Sequence, residues 1–316
     1  MKTMSLDMKK VLKRLADADQ MINFQEPPHL TEDQKSYLNY YGFRLRKVTY
    51  SSGKMTVNGI RIMVQMFSPE SCTGTVILIH GYLDHVGILK NMIEFLTDHK
   101  FRVIGYDLQG HGLSEGEKAS VKNFSEYVTT LESLMKRIRE EISGPVYGIG
   151  HSTGGAILID YLLKHKENSP DKVVLIAPLV RSHLWQISKA GVYFLRLFPF
   201  VKQIRRNYYP NSSDKQFLSF LKKDPLQFHY IPLDWLQSLI LWNREIKAYK
   251  PTDTETLIIQ GTKDMTVEWN YNIQFIKDKF LHVQIELIRG GKHQLLNEKP
   301  EIREHVFQKI AAFLTR

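Results

Sequence analysis

The chain has 316 residues, with 43 lysines and arginines against 33 aspartates and glutamates, and its formal net charge at pH 7 is +10. With 43% hydrophobic, 11% aromatic and 24% charged residues, the composition is that of a globular protein and excludes extended disorder and fibrous repeats. The single cysteine, Cys72, excludes an intrachain disulfide. Because the length exceeds that of a typical domain, we expect one α/β core with an insertion.

The N-terminal region indicates neither a signal peptide nor a membrane anchor, since no unbroken apolar run follows the first lysines. The apolar stretches elsewhere are too short to span a bilayer. We therefore expect a cytoplasmic protein whose only membrane contact would be peripheral. Apolar residues at helical spacing over residues 5–25 predict a helix outside the main core, and Pro27-Pro28 ends the pattern. We assign residues 1–42 to this N-terminal helical extension.

Strand-like runs over residues 43–50 and 55–67 follow, and Asn58-Gly59 within the second predicts a tight hairpin turn. Strands and helices then alternate. The predicted strands cover residues 75–79, 102–107, 145–149, 172–177, 256–260 and 283–288, and the predicted helices cover residues 86–99, 123–141, 153–164, 269–279 and 302–314. This alternation predicts a mostly parallel central sheet with helices on both faces and the hairpin at one edge.

Residues 181–249 break the alternation. Aromatic, basic and proline residues are interspersed there, which predicts several short helices above the sheet. We therefore predict that residues 43–180 and 250–316 form the α/β core, and that residues 181–249 form a helical cap or lid.

A serine lies at the junction between a predicted strand and a predicted helix, in the sequence Gly150-His151-Ser152-Thr153-Gly154. The two glycines allow the tight turn that lifts the serine hydroxyl clear of the backbone. The N-terminus of the following helix favours the negative charge of an oxyanion. This placement predicts that Ser152 is a nucleophile, while the adjacent His151 is expected to pack or to hydrogen-bond.

Loops after the last two strands supply a base and an acid for this serine. His293 lies in a glycine-containing loop after the last strand, and Asp264 follows the penultimate strand. Both loops are at the carboxyl ends of strands, where the catalytic residues of open α/β sheets gather. Asp107 precedes the serine, out of the expected order Ser, Asp, His, and Asp171 lies at the wrong end of its strand. We therefore predict a triad of Ser152, Asp264 and His293.

An oxyanion hole needs two backbone donors. The amide of Thr153, directly after the nucleophile, is the first candidate. The loop His80-Gly81-Tyr82 is expected to supply the second, because its glycine permits close approach of the backbone. His80 itself is expected to be a buried scaffold residue.

Four motifs, in order, resemble those of the α/β-hydrolase superfamily and, within it, the monoacylglycerol lipase and lysophospholipase group of serine aminopeptidase S33-like hydrolases. They are His80-Gly81-Tyr82, residues 107–114 (DLQGHGLS), residues 150–154 (GHSTG), and Asp264 with His293. The resemblance runs from about Thr49 onward, and the second motif is distinctive of the group.

This resemblance implies ester hydrolysis through an acyl-enzyme, without a cofactor or a metal. Ser152 would attack, His293 would transfer the proton and Asp264 would orient the imidazole. The amides of Tyr82 and Thr153 would hold the oxyanion. His111, within the second motif, would have a structural role.

The positive charge is concentrated in two segments. Residues 181–213 carry six basic and no acidic residues, and residues 1–14 carry five basic residues and one acidic residue, so together they account for the whole +10. Two interpretations stay open for the lid: it inserts its aromatic face into an anionic membrane surface, or it closes over the pocket with a solvated basic rim. Its candidate substrate-facing or lipid-facing residues are Trp185, Tyr193, Phe194 and Phe198.

We predict a serine hydrolase that cleaves carboxylic esters of lipid-like substrates, as a monoacylglycerol lipase or a lysophospholipase. The alternatives are a general carboxylesterase, a proline iminopeptidase-like aminopeptidase and a non-catalytic hydrolase-like binding protein. No nucleic acid is expected as a partner, because the sequence has no zinc-ligand spacing, helix-turn-helix pattern or ribonucleoprotein motif. The acyl length, the leaving group and the oligomeric state are not determined by the sequence.

Overall fold

A computed structural model describes residues 2–25, 29–165, 167–206 and 209–316. The strands, in chain order, are β1 (Val48–Val57), β2 (Ile60–Pro69), β3 (Gly74–Ile79), β4 (Phe101–Tyr106), β5 (Val146–His151), β6 (Lys172–Ile176), β7 (Gln203–Arg205), β8 (Tyr230–Pro232), β9 (Glu255–Gly261) and β10 (Val283–Ile288). The helices are α1 (Lys2–Asp17), α2 (Glu32–Tyr41), α3 (Lys90–Asp98), α4 (Ser125–Glu141), α5 (Thr153–Lys164), α6 (Trp185–Leu195), α7 (Lys215–Leu221), α8 (Leu233–Glu245), α9 (Trp269–Lys279) and α10 (Pro300–Leu314). Short 3-10 turns cover Val86–Leu89, Ile246–Ala248 and Leu295–Asn297.

Eight strands form one sheet in the order β1-β2-β4-β3-β5-β6-β9-β10. Strand β2 runs antiparallel to both of its neighbours, and the strands from β4 to β10 in this order run parallel to one another. This confirms the predicted α/β-hydrolase fold with its mostly parallel sheet. The carboxyl ends of β3, β5, β9 and β10 therefore meet at one edge, and the loops that follow them carry the candidate active-site residues.

Helices cover both faces of the sheet. Successive residues of a strand point to opposite faces, so each strand contributes side chains to two apolar clusters. In β3, Ile77 and Ile79 pack into one apolar cluster with residues of α4, α5 and α9. Val76 and Leu78 pack into a second cluster with residues of α1, α2, α3 and α10.

The edge hairpin has a two-residue turn at Asn58-Gly59, with φ values of 49° and 79°. Two successive left-handed residues match the right-handed twist of a hairpin, and asparagine and glycine adopt that conformation readily. Strand β1 begins at Val48 rather than at the predicted Phe43, which is instead buried in the second apolar cluster.

The N-terminal extension packs on the core, so the expectation that its helix lies outside the core is wrong. Apolar residues at helical spacing on α1, among them Val11 and Leu15, are buried in the second cluster. Helix α1 ends at Asp17 rather than near Gln25, because the chain then runs beside β1, where the Ile22 amide donates to the Lys54 carbonyl at 3.0 Å. The proposed stop at Pro27-Pro28 lies outside the described residues.

Helix α2 is absent from the sequence-based prediction, although its start carries a recognisable signal. The Thr31 hydroxyl accepts from the Gln34 amide, and the Gln34 side chain accepts from the Thr31 amide, which is a complete capping box. Gly42 ends the helix in the left-handed conformation, with φ 72°. Tyr37, Leu38 and Tyr41 bury the inner face of this helix.

The insertion, residues 181–249, contains the predicted short helices and also the antiparallel pair β7–β8, which was not predicted. Its last helix, α8, is anchored in the first apolar cluster by Trp235, Leu239 and Trp242. Its first helix, α6, buries only two side chains, Trp185 and Val192. No helix within the described ranges is both long and apolar enough to cross a membrane.

Candidate active site

Ser152 stands at the turn between β5 and α5 in a strained conformation, with φ 52° and ψ −111°. The glycines around it are required by close backbone approach: a Cβ atom on Gly150 would lie 2.5 Å from the carbonyl carbon of Gly154. A Cβ atom on Gly154 would lie 2.3 Å from the carbonyl oxygen of Ile79. The serine is 7% exposed. The two glycines therefore permit the sharp elbow that places Ser152 at the end of β5.

Asp264 and His293 are joined by a hydrogen bond, in which His293 Nδ1 donates to Asp264 Oδ2 at 2.8 Å. The Thr266 amide donates to the other carboxylate oxygen at 2.7 Å, and Gln260 Nε2 donates to Oδ2 at 3.1 Å. Burial alone would raise the pKa of Asp264, but the charge and hydrogen bond of His293 lower it below its usual value. The carboxylate is therefore held charged and in place beside the imidazole.

His151 connects the Ser152 elbow to the loop of His293. Its Nε2 donates to the His293 carbonyl oxygen at 3.1 Å, and the two ring centroids are 4.9 Å apart. Burial, followed by the proximity of His293, lowers the pKa of His151 to about 3, so its ring is neutral at physiological pH. The fold therefore joins Asp264 to His293 directly, and it links the His293 loop to His151, the neighbour of Ser152 in the chain.

The loop after β3 passes directly beside the nucleophile. A Cβ atom on Gly81 would lie 2.9 Å from His151 Nδ1 and 3.3 Å from Ser152 Cβ. Thr153 is the first residue of α5 and is fully buried; helix geometry provides no acceptor within the helix for an amide at that position. The two backbone segments predicted to donate to an oxyanion, at Tyr82 and Thr153, thus flank Ser152.

Two further histidines, His80 and His111, contact this loop. The Leu108 amide donates to His80 Nε2 at 2.9 Å, so that His80 Nδ1 donates to the Gly81 carbonyl at 2.7 Å. His111 is buried against the ring of Tyr82, with centroids 5.3 Å apart, and burial lowers its pKa to about 4. Both residues are in positions that suit a scaffold role.

Aromatic residues near the site include one that sequence reasoning missed. Trp235 of α8 stacks on Tyr82 at a centroid distance of 3.5 Å and an interplanar angle of 12°. Of the four lid aromatics proposed from the sequence, Trp185 is buried, whereas Tyr193, Phe194 and Phe198 are exposed. The only sequence signal for Trp235 is its place in the apolar pattern of α8, which does not distinguish it from core residues.

The six basic residues of the first part of the insertion, residues 181–213, are not equivalent. The guanidinium of Arg181 lies 3.4 Å from the ring centroid of Tyr271 and 3.7 Å from a carboxylate oxygen of Glu268. Arg206 donates to Gln227 Oε1 at 2.8 Å. These two are therefore engaged within the protein. The exposed basic residues of this segment are Arg196, Lys202 and Arg205, with Lys189 half-buried.

A family model described as serine aminopeptidase, S33, matches residues 70–300, which is well over half of the chain. Among proteins of similar sequence are a monoacylglycerol lipase of Mycolicibacterium smegmatis and the human monoglyceride lipase. The bacterial protein is 25% identical over 251 residues (77% of this chain, 89% of that protein), and the human protein is 24% identical over 278 residues (83% and 89%).

Solved structures resemble the fold as well. A soluble variant of the Saccharomyces cerevisiae monoglyceride lipase, in complex with a substrate analogue, superposes with a TM-score of 0.74 at 18% identity, covering 87% of this chain and 97% of the other. The monoacylglycerol lipase of Paleococcus ferrophilus gives a TM-score of 0.70 at 20% identity, covering 80% and 98%.

Proposed function

Because the chain belongs to the hydrolase family described as serine aminopeptidase, S33, we propose that it is a serine hydrolase that cleaves carboxylic esters of lipids, with Ser152, Asp264 and His293 as its catalytic triad. The observation that carries this proposal is the 2.8 Å hydrogen bond between Asp264 and His293, at the sheet edge where Ser152 occupies its strained elbow. The lipase relatives support an ester as substrate.

In the proposed mechanism, Ser152 Oγ attacks the ester carbonyl while His293 Nε2 takes its proton. Asp264 keeps the imidazole in the required tautomer and stabilises the imidazolium that forms. The amides of Tyr82 and Thr153 donate to the oxyanion of the tetrahedral intermediate. His293 then protonates the departing alcohol, which leaves an acyl-enzyme. A water molecule, deprotonated by His293, attacks this acyl-enzyme and releases the fatty acid and the free serine.

Lipid esters suit the composition of the insertion, whose exposed residues near α6 are mostly aromatic or aliphatic. The relatives named for monoacylglycerol support a monoacylglycerol as substrate. An aminopeptidase would need a carboxylate to hold the substrate amine, and residues 181–213 contain no acidic residue. We therefore favour ester over peptide hydrolysis, with residues 181–249 acting as the cap of the site.

A fluorophosphonate probe tests the function directly, because it labels only an activated serine. We expect the wild type to be labelled and Ser152→Ala to be unlabelled, with turnover reduced by roughly 10⁴ to 10⁶-fold. Turnover should be compared across monoacylglycerols, lysophospholipids and p-nitrophenyl esters of varied chain length. An unlabelled wild-type protein would contradict catalysis, and faster cleavage of aminoacyl amides than of any ester would contradict the lipid assignment.

Peripheral contact with an anionic membrane is a second part of this proposal. Five apolar side chains on and beside α6 are exposed. We call them the α6 surface: Leu184, Ile187, Phe194, Leu197 and Phe200. Three exposed basic residues, Arg196, Lys202 and Arg205, lie within the same stretch of sequence. Exposed apolar and basic side chains together are typical of surfaces that bind anionic lipid. Co-sedimentation with anionic and neutral vesicles measures such binding.

A further inference from the structure

A buried aspartate of the insertion joins three separate parts of the chain. Asp224, just after α7, accepts a hydrogen bond from His85 Nε2 at 2.8 Å, and both side chains are fully buried. Its other carboxylate oxygen accepts from the Tyr41 hydroxyl at 2.9 Å. Tyr41 ends α2 and His85 lies in the loop after β3. We call these three side chains the Asp224 junction.

In the junction, His85 and Asp224 each favour the charged form of the other. Burial alone would lower the pKa of His85, but the charge and hydrogen bond of Asp224 outweigh burial and raise it. The same pair, against the effect of burial, lowers the pKa of Asp224. Because both side chains are buried and hydrogen-bonded to each other, loss of one partner leaves the other unsatisfied. The junction therefore favours one arrangement of the three parts of the chain.

The loop that carries His85 also forms one wall of the proposed oxyanion hole, since Tyr82 lies three residues earlier. The Val86 amide donates to Asp107 Oδ1 at 2.8 Å. Asp84 accepts from the side chain of Gln294, the neighbour of His293, at 2.8 Å. The loop is thus tied to the sheet, to the His293 loop and, through Asp224, to the insertion. A shift at His85 would move the Tyr82 amide.

Helix α2 is docked tightly against this loop. The Tyr41 ring lies edge-on to the His85 ring, with centroids 5.0 Å apart, and it also contacts Phe220 of the insertion at 5.9 Å. A Cβ atom on Gly87 would lie 2.9 Å from Tyr41 Cγ, so the helix approaches the backbone closely. Helix α2 lies outside residues 70–300, the segment that the family model matches.

We propose that Asp224 is a positioning residue for the active site, and that Tyr41 gives the N-terminal extension a part in catalysis through it. The junction fixes the position of the Tyr82 loop relative to the insertion, so that the Tyr82 amide points at the oxyanion. This inference rests on the proposed function. It predicts that weakening the junction lowers kcat for ester cleavage and leaves KM nearly unchanged, because the affected interaction forms only in the transition state.

The test compares Tyr41→Phe, Asp224→Ala and the double variant on a soluble p-nitrophenyl ester, with Asp234→Asn, an exposed aspartate of the insertion, as the control. We expect kcat to fall about 2- to 10-fold in Tyr41→Phe, the effect of one hydrogen bond, and roughly 10- to 100-fold in Asp224→Ala, the effect of a small displacement. The double variant should match Asp224→Ala, because Tyr41 acts only through Asp224. The control should retain wild-type kcat.

Amide hydrogen exchange provides a readout that does not depend on turnover. In Tyr41→Phe, residues 80–86 should exchange faster than in the wild type, while thermal melting shows that the protein is folded. Because it uses Tyr41→Phe, this measurement still tests the positioning role of the junction if Asp224→Ala does not fold.

Unchanged kcat and unchanged exchange in Tyr41→Phe would overturn the inference, as would a double variant with independent, additive losses. The absence of any Ser152-dependent turnover in the wild type is a different result. It would overturn the proposed function and this inference with it.

Discussion

Side chains at the carboxyl edge of the sheet are buried and hydrogen-bonded, whereas those of the α6 surface are exposed and have few partners. Asp264 and His293 are almost fully buried, while Ile187 and Leu197 are 69% and 72% exposed. Catalysis requires fixed positions, because displacements of an ångström cost orders of magnitude in rate. Contact with a lipid phase requires only exposed apolar area. Under the proposed function, the buried edge of the sheet would carry the chemistry, and the exposed α6 surface would contact lipid.

Among substitutions in the two regions, replacing Asp264 should have the largest effect on turnover. Asp264→Asn keeps the shape of the side chain but loses the charge that holds the His293 tautomer, so we expect kcat on a soluble ester to fall by about 10⁴-fold. Asp253→Asn, at an exposed site before β9, is the control and should leave kcat unchanged. Steady-state kinetics measures both. Near-wild-type turnover by Asp264→Asn would remove Asp264 from the triad.

The same substitution made in each region sharpens the contrast. Gly81→Ala places a methyl group 2.9 Å from His151 Nδ1 in a packed site, so the loop of Tyr82 must shift. We expect kcat to fall roughly 10- to 100-fold. Gly191→Ala on α6 meets nothing within 4 Å and should leave kcat unchanged while stabilising the helix. Equal kinetics for both variants would show that the loop after β3 tolerates movement.

The smallest effect on soluble-ester turnover is expected on the α6 surface. Ile187→Ser combined with Phe194→Ser should leave kcat for p-nitrophenyl butyrate unchanged but should reduce co-sedimentation with anionic vesicles, because the lost area is apolar. Leu287→Ser, an exposed apolar position on β10, is the matched control. Equal partitioning of the wild type to neutral and anionic vesicles, or binding to neither, would contradict the membrane proposal.

Regular elements of the core were predictable because their signals are local. The apolar strand before Gly150 and the helical pattern after Ser152 match β5 and α5, and the predicted helix over residues 269–279 coincides with α9. The N-terminal extension was predicted less well. Its apolar stripe indicates a helix but does not say which surface covers it, and the capping box at Thr31 begins a short helix, α2, whose moderate amphipathicity gives a weak signal. Its contribution to the core is decided by packing.

The sequence by itself determined the fold class, the strained elbow at Ser152 and the order of the predicted triad, because each depends on residue types near one another in the chain or at strand ends. Only the tertiary structure decided which charges are engaged and which side chains are exposed. Arg181 is paired within the protein, and the α6 surface is open to solvent. The bond between Tyr41 and Asp224 joins residues 183 positions apart. No local pattern specifies such a contact, since it exists only when three separate segments pack together.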